Sequence, residues 1–162
     1  MLTQAALKSI LDYDQDTGAF TWKVRLARRT EIGAVAGTIN NRGYIIITLY
    51  GKRYLAHRLA WLHIHGEFPL ESIDHINGNV ADNYLSNLRN VTQSANMQNQ
   101  RNPRSDNTSG FLGVTYSKRN NKWQASIKLH GKNKTIGLYK TAELAHQAYL
   151  EVKRQLHEGC TI

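Results

Sequence analysis

Residues 71–99 read ESIDHINGNVADNYLSNLRNVTQSANMQN, and this stretch decides the fold of the region around it. A short strand can end near Ile73, and a tight turn is favoured at Gly78 and the asparagine after it. The run LRNVT at 88–92 predicts a second short strand, whose threonine can cap a helix that begins near Gln93. The stretch therefore predicts a strand, a loop, a second strand and a helix.

An acid and a histidine stand side by side in this stretch, at Asp74 and His75. We expect them to face Asn96, in the early turns of the helix, across a small gap. Carboxylate and amide oxygens suit a hard divalent cation, and a histidine can accept a proton from water near neutral pH. The set predicts phosphodiester hydrolysis, whereas the alternative is an Asn-rich structural loop with Asp74 as a turn former.

The run D-H-I-N-G-N, the later N-L-R and the asparagine of the helix resemble the HNH nuclease family, in particular its phage and mobile-element branch related to homing endonucleases. The resemblance implies a ββα unit that holds one divalent metal ion. It implies that His75 is the general base and that Asn87 orients the His75 ring through a hydrogen bond. It also implies that Asp74 and Asn96 bind the metal; many relatives have histidine at the last position, and this departure is common within the branch.

Composition limits the partners of the chain. Its 162 residues suit one ordinary domain or two small ones. A formal charge of +9 points to polyanions, first nucleic acid and second an anionic membrane surface. No segment approaches the roughly 18 consecutive apolar residues of a membrane span, and the start lacks the features of a signal peptide. The single cysteine, Cys160, argues against an internal disulfide and a cysteine-based zinc site.

The residues before the central stretch predict a small, mostly β layer. Residues 3–11 have the periodicity of a short helix, and residues 19–24 and 44–50 have that of strands. Residues 55–65 predict a helix that ends at Gly66. The N-terminal run also resembles the corresponding part of the same phage HNH proteins.

Several arginines and histidines in this part of the chain have more than one possible role. Arg25, Arg28 and Arg29 form a basic loop, for which solvation and phosphate contact are equally good explanations. In the helix 55–65, His57 is better explained as a packing residue than as a catalyst, and Arg58 could approach a phosphate. The spacing of its histidines is poor for a zinc site.

The last fifty residues predict a second module, with strands at 111–117, 123–129 and 134–139 and a helix capped by Thr141. The runs G-V-T-Y, W-Q-A-S-I-K, I-G-L-Y and T-A-E-L-A-H-Q-A-Y resemble the AP2 DNA-binding domain. The resemblance implies a three-stranded sheet that enters the major groove of DNA, with the helix packed behind it. Period-two alternation places Gln124 and its alternate neighbours on the polar face.

Polar and basic residues are the candidates for contact with double-stranded DNA in this part, and cations outnumber acids strongly there. The candidates are Arg101, Arg104, Thr115, Ser117, Lys118, Arg119, Lys122, Gln124, Ser126, Lys128, Lys132 and Lys134.

The expected architecture is an α+β chain. A β-rich N-terminal region leads into the ββα-metal nuclease unit over 1–97, with the core at 55–99. A linker over 98–109 precedes the AP2-like sheet and helix over 110–159.

The expected function is that of a metal-dependent HNH DNA endonuclease of homing type that nicks duplex DNA with Mg²⁺ or Mn²⁺. We expect a monomer or weak dimer, without a small-molecule cofactor or a membrane partner. We expect it in the cytoplasm of a bacterial host, encoded by a phage or mobile element. The alternatives are a DNA-binding or regulatory protein with weak or no nuclease activity, a protein that binds or cuts RNA, and a nonspecific nuclease.

Overall fold

The computed structural model describes residues 2–28, 30–129, 131–157 and 160–161. Within them the chain has mixed α and β structure, with four α-helices and several small antiparallel sheets. It divides into two compact units, Met1–Gln93 and Ser94–Ile162. In the described part of the chain, no helix has the length and apolar character needed to cross a membrane. Arg29 of the basic loop and His130 lie outside the described residues.

In its described residues the first unit contains two α-helices, a short 3₁₀ helix, two strand pairs and one three-stranded sheet. Its elements are α1 (Gln4–Ile10), β1 (Leu11–Tyr13), β2 (Phe20–Trp22), β3 (Thr38–Ile39), β4 (Ile45–Leu49), β5 (Lys52–Leu55), α2 (Ala56–His65), β6 (Ser72–His75) and β7 (Leu88–Val91). Strand β1 pairs with β2, β6 pairs with β7, and β4 lies between β3 and β5. The order β6, β7 and then α3 (Gln93–Gln98) confirms the predicted strand, strand and helix along the chain.

Local signals set both helices of this unit. Thr3 caps α1 by accepting a hydrogen bond from the backbone N–H of Ala6. Helix α2 ends at Gly66, whose φ of 87° is left-handed, as the sequence predicted. The apolar faces of both helices pack with the strands around one core. Its largest fully buried apolar side chains are Leu7, Leu11, Phe20, Ile47, Leu49, Leu59 and Leu62.

The second unit begins inside α3 and continues with β8 (Val114–Ser117), β9 (Lys122–Leu129), β10 (Lys132–Tyr139) and α4 (Ala142–Leu156). Strand β9 lies between β10 and β8, and Thr141 caps α4 by accepting from the N–H of Leu144. The helix buries Ala145 and Tyr149 against Val114, Ala125 and Ile127 of the sheet. These strands and this helix confirm the elements that the sequence predicted, with bounds shifted by a few residues.

Residues 99–101 were predicted to be part of a linker, but side chains of the second unit hold them. The buried ammonium of Lys153 donates to the carbonyl of Gln100 at 2.6 Å. The guanidinium of Arg101 donates to the carbonyl of Thr161 at 3.0 Å and to its hydroxyl at 2.7 Å. Because a buried ammonium needs a hydrogen-bond acceptor, this segment is a packed part of the unit.

The turn between β1 and β2 lies very close to the backbone that precedes the β7 strand. Gly18 has a φ of 73°, and a Cβ placed on it would lie 2.3 Å from Asn83 C and 2.3 Å from Tyr84 N. A glycine is therefore needed here for both backbone conformation and space. Gly51 has a similar φ of 78°, but a Cβ there would have no neighbour within 4 Å.

We expect Gly18→Ala to destabilise the first unit much more than Gly51→Ala. Both substitutions impose the left-handed penalty of about 1 kcal/mol, whereas only the first forces two backbone segments apart, at a further cost of about 1–3 kcal/mol. Urea unfolding of both variants measures the difference. Equal losses of unfolding free energy would show that the close approach at Gly18 is absent in solution.

Candidate active site

The hairpin of β6 and β7 holds the acid and the histidine that the sequence singled out. Asp74 is opposite Arg89 and His75 is opposite Leu88 in the antiparallel register. Asp74 is 6% exposed and His75 is 3% exposed. Because such groups are rarely buried without a partner, their hydrogen bonds determine what the site can do.

The imidazole of His75 is hydrogen-bonded to an asparagine other than the one predicted. His75 Nε2 lies 3.1 Å from Asn83 Oδ1. The prediction that Asn87 makes this hydrogen bond is wrong, because both sides of the Asn87 amide are used elsewhere. Asn83 comes from the loop before the 3₁₀ turn Leu85–Asn87 and is 1% exposed.

Asn87 closes the loop that joins β6 to β7. Its Oδ1 accepts from the N–H of Asn77 at 2.9 Å, and its Nδ2 donates to Asn77 Oδ1 at 3.1 Å. The same Nδ2 donates to the carbonyl of Asp82 at 2.7 Å. Asn87 is 2% exposed, so this buried amide fixes the two ends of the loop that carries Asn83.

Among the described residues, the rings of His57 and Tyr44 lie beside the His75 ring. The His57 ring of α2 lies 5.1 Å from the His75 ring, and the Tyr44 ring lies 6.2 Å from it. Tyr44 and His57 also contact each other, with centroids 5.5 Å apart. The predicted packing role of His57 therefore acts directly on the His75 ring.

Asp74 forms a partly buried ion pair with Arg89 across the hairpin. Arg89 donates to Asp74 Oδ2 from Nε at 2.9 Å and from Nη2 at 2.7 Å. Both donors bond the same oxygen, and these charge-assisted hydrogen bonds hold that oxygen against the guanidinium. Arg89 was not among the predicted site residues, although it lies directly opposite Asp74 in the register.

Burial lowers the pKa of both histidines of the ring cluster. It takes the pKa of His57 from 6.5 to about 3, with smaller contributions from His75 and Arg58. It also lowers the pKa of His75, although the hydrogen bond to Asn83 and the charges of Asp74 and Asp82 act in the opposite direction. Both rings are therefore neutral near pH 7, and a neutral imidazole can accept a proton.

Arg58 has a structural environment. Its Nη2 donates to the carbonyl of Pro69 at 3.1 Å, and its guanidinium lies 5.9 Å from the centroid of the Phe68 ring. These contacts hold the chain that leaves α2, so the guanidinium has a role that does not require a phosphate.

The two predicted metal ligands, Asp74 and Asn96, carry oxygen donors of the kind that a hard divalent cation prefers. Asp74 of the first unit is buried and carries a carboxylate. Asn96 lies half-buried on α3 of the second unit and carries an amide oxygen. Among the described residues, no group of three or more His, Cys, Asp or Glu side chains is placed to hold a metal. A donor set of few protein oxygens is typical of Mg²⁺, which keeps several waters and binds substrate phosphate.

The outer face of the second-unit sheet collects most of the predicted DNA-contacting strand residues. Directly opposed residues share a face of an antiparallel sheet, and Thr115 is opposite Gln124 while Ser117 is opposite Lys122. Gln124 Nε2 donates to Thr135 Oγ1 at 3.1 Å across this face. We call this surface the outer sheet face; its predicted members are Thr115, Ser117, Lys122, Gln124, Ser126 and Lys128.

The other candidates have different surroundings. Lys132 is opposite Leu129 and Lys134 is opposite Ile127, so both lie on the helix side of the sheet, although they are exposed. Lys118 and Arg119 are exposed in the turn between β8 and β9. Arg104 is exposed and pairs with Asp106 at 3.3 Å, whereas Arg101 is bonded to Thr161 as described above.

Known proteins match the part of the chain that carries this site. Residues 54–98 match the family model described as HNH endonuclease. The hairpin and its buried histidine lie within the residues that match this family model.

The chain is also similar to Protein 3.8 of Escherichia phage T7, with 32% identity over 102 residues, which are 62% of this chain and 83% of that protein. The chain belongs to the same family as Protein 3.8. The chain was also matched to a solved structure that concerns DNA binding and cleavage by the HNH homing endonuclease I-HmuI. The match covers 93% of this chain and 88% of the I-HmuI chain, with 24% identity and a TM-score of 0.44. A TM-score of this size does not establish a shared fold.

We expect His57→Phe to flatten the loss of stability in acid. The unfolded pKa is 6.5 and the folded pKa is about 3, so the stability from neutral His57 is present above pH 6.5 and is lost as the pH falls toward about 3. Phenylalanine keeps a ring and binds no proton. Thermal and urea unfolding between neutral and acidic pH give the slope of the unfolding free energy against pH. In His57→Phe this slope should be smaller than in wild type by up to about 1.4 kcal/mol per pH unit.

The same exchange at the exposed His65 is the control for replacing a histidine by phenylalanine. An unchanged pH slope in His57→Phe would contradict the burial of a neutral His57 ring.

Proposed function

We propose that this chain is a metal-dependent DNA endonuclease of homing type that hydrolyses phosphodiester bonds, with His75 as the general base. The observation that carries the proposal is a buried imidazole, kept neutral by burial and hydrogen-bonded by Asn83, beside the carboxylate of Asp74. The match of residues 54–98 to the HNH endonuclease family supports the same chemistry.

The side chains divide the work of hydrolysis. His75 accepts the proton of the attacking water. The contacts of its ring with the rings of Tyr44 and His57 keep the imidazole in one orientation. Asp74 and Asn96 would hold Mg²⁺ or Mn²⁺, which when bound neutralises charge at the scissile phosphate and the leaving oxygen. Arg89 orients the Asp74 carboxylate, and Asn87 acts as a positioning residue by closing the loop.

The second unit is proposed to bind the duplex as an AP2-like module. An exposed three-stranded sheet fits the major groove, and α4 covers its opposite face. The outer sheet face and the turn with Lys118 and Arg119 supply hydrogen-bonding groups and cations. Such contacts give an affinity that falls steeply with salt.

One HNH site per chain makes one cut per binding event. A monomer or weak dimer of this kind nicks one strand, and a double-strand break needs two sites or two events. The phage relative supports a phage or mobile-element gene whose product acts in the bacterial cytoplasm.

We expect wild-type protein with Mg²⁺ or Mn²⁺ to convert supercoiled plasmid to open circle, and His75→Ala to do so at least about 10²-fold more slowly. EDTA should abolish conversion by the wild type. His65→Ala is the matched control, because that histidine is exposed at the end of the same unit's α2 helix. Gel shifts should show that His75→Ala still binds the plasmid.

Other outcomes would favour the alternatives. Plasmid that is shifted but not cut by the wild type would favour a DNA-binding protein with weak or no nuclease activity. Preferential binding or cutting of RNA in competition with duplex DNA would overturn the choice of substrate. Equal cutting by His75→Ala would remove His75 from the mechanism.

We expect the double variant Lys122→Ala, Lys128→Ala to bind duplex DNA more weakly than wild type. The slope of log affinity against log salt concentration should become shallower by about one per lysine. The double variant Lys132→Ala, Lys134→Ala loses the same charge from the helix side of the sheet and should change the slope less. Equal effects would show that the outer sheet face is not the DNA surface.

A further inference from the structure

The backbone around Asn83 is held by the hairpin of β1 and β2. The Tyr13 hydroxyl donates to the carbonyl of Asn83 at 2.6 Å. The N–H of Leu85 donates to the carbonyl of Gln15 at 2.9 Å. Gly18 makes the close approach to Asn83 and Tyr84 described above. An N-terminal hairpin therefore fixes a loop that lies about seventy positions later in the chain.

The side chain of Asn83 has one orientation in this clamp. Its Nδ2 donates to the carbonyl of Ala81 at 3.3 Å, which directs its Oδ1 toward His75 Nε2 at 3.1 Å. An amide oxygen can only accept a hydrogen bond. The nitrogen that faces it must therefore carry the hydrogen.

We propose that Asn83, clamped by the β1–β2 hairpin, is a positioning residue that fixes His75 in the Nε2–H form and makes Nδ1 the basic nitrogen. A neutral imidazole carries one hydrogen, so the partner of one ring nitrogen decides which nitrogen can accept a proton. The ring contacts with Tyr44 and His57 limit the orientation of the ring, and the hydrogen bond to Asn83 Oδ1 requires the hydrogen on Nε2. The catalytic consequence rests on the proposed nuclease function.

The tautomer can be measured without any nuclease activity. Long-range ¹H–¹⁵N correlation spectra of ¹⁵N-histidine-labelled protein, recorded where the rings are neutral, distinguish Nε2–H from Nδ1–H imidazole. The His75 signals among the seven histidines are identified by their absence in His75→Gln. We expect Nε2–H in the wild type and a mixture or the Nδ1–H form in Asn83→Ala.

Two further variants separate the hydrogen bond from general damage to the fold. Asn83→Asp keeps an accepting oxygen and should retain the Nε2–H form. Tyr13→Phe removes the clamp hydrogen bond but keeps the Asn83 amide, and should give a smaller change than Asn83→Ala. Asn41→Ala, at an exposed asparagine of the same unit, should leave the His75 signals unchanged.

The catalytic consequence is a loss of rate without a loss of binding. Asn83→Ala should lower the single-turnover nicking rate by about 10- to 100-fold, with the Kd for duplex DNA within about twofold of wild type. Asn83→Asp should recover part of the rate.

The Nδ1–H form in wild-type protein, or an unchanged tautomer and rate in folded Asn83→Ala, would overturn the inference. If the wild type cuts no DNA, the tautomer measurement still decides the role of Asn83, so the two proposals fail separately.

Discussion

The site depends on one hydrogen bond, between His75 Nε2 and Asn83 Oδ1. A buried imidazole loses its hydrogen bonds to water, and an unpaired polar group in that position would cost about 1–3 kcal/mol. The fold supplies the partner from a loop, and loops are rigid only when other segments hold them. The β1–β2 hairpin holds this loop from one side through Tyr13, and the buried Asn87 amide closes it from within. The predicted chemistry of His75 is thus a property of the whole first unit.

In the second unit, a buried ammonium group holds a polar segment in place through a hydrogen bond. Burial lowers the pKa of Lys153 in α4, and its ammonium donates to the carbonyl of Gln100. Arg101 and Thr161 join the same segment to the C-terminal part of the unit. The polar stretch after α3 is thereby part of a compact module, and the basic residues of the sheet and its turn are carried by a rigid support. A packed support of this kind would favour the proposed contact with DNA, because little ordering entropy would be lost on binding.

Periodicity and capping residues were sufficient for most of the secondary structure. Helices α2 and α4 and strands β9 and β10 follow from apolar spacing, Gly66 and Thr141, all of which act locally. The pair of Asp74 and His75 was also visible in the sequence. The partner of His75 was not, because Asn83 and Asn87 are chemically identical and only the path of the loop decides which one reaches the ring. Arg89 could have been found from the register of the predicted hairpin, whereas the contact of Gly18 with a loop far along the chain has no local signal.

In the proposed mechanism the neutral His75 ring takes the proton of the attacking water. Chemical rescue tests it most directly: His75→Gly leaves a space at a buried position, and added imidazole can occupy that space. If His75 is the general base, nicking by His75→Gly rises in proportion to the concentration of neutral imidazole, and Asp74→Ala shows no such rescue. A folded, DNA-binding His75→Gly variant that cuts as fast as wild type without imidazole, or is not restored by any concentration of it, would contradict the claim.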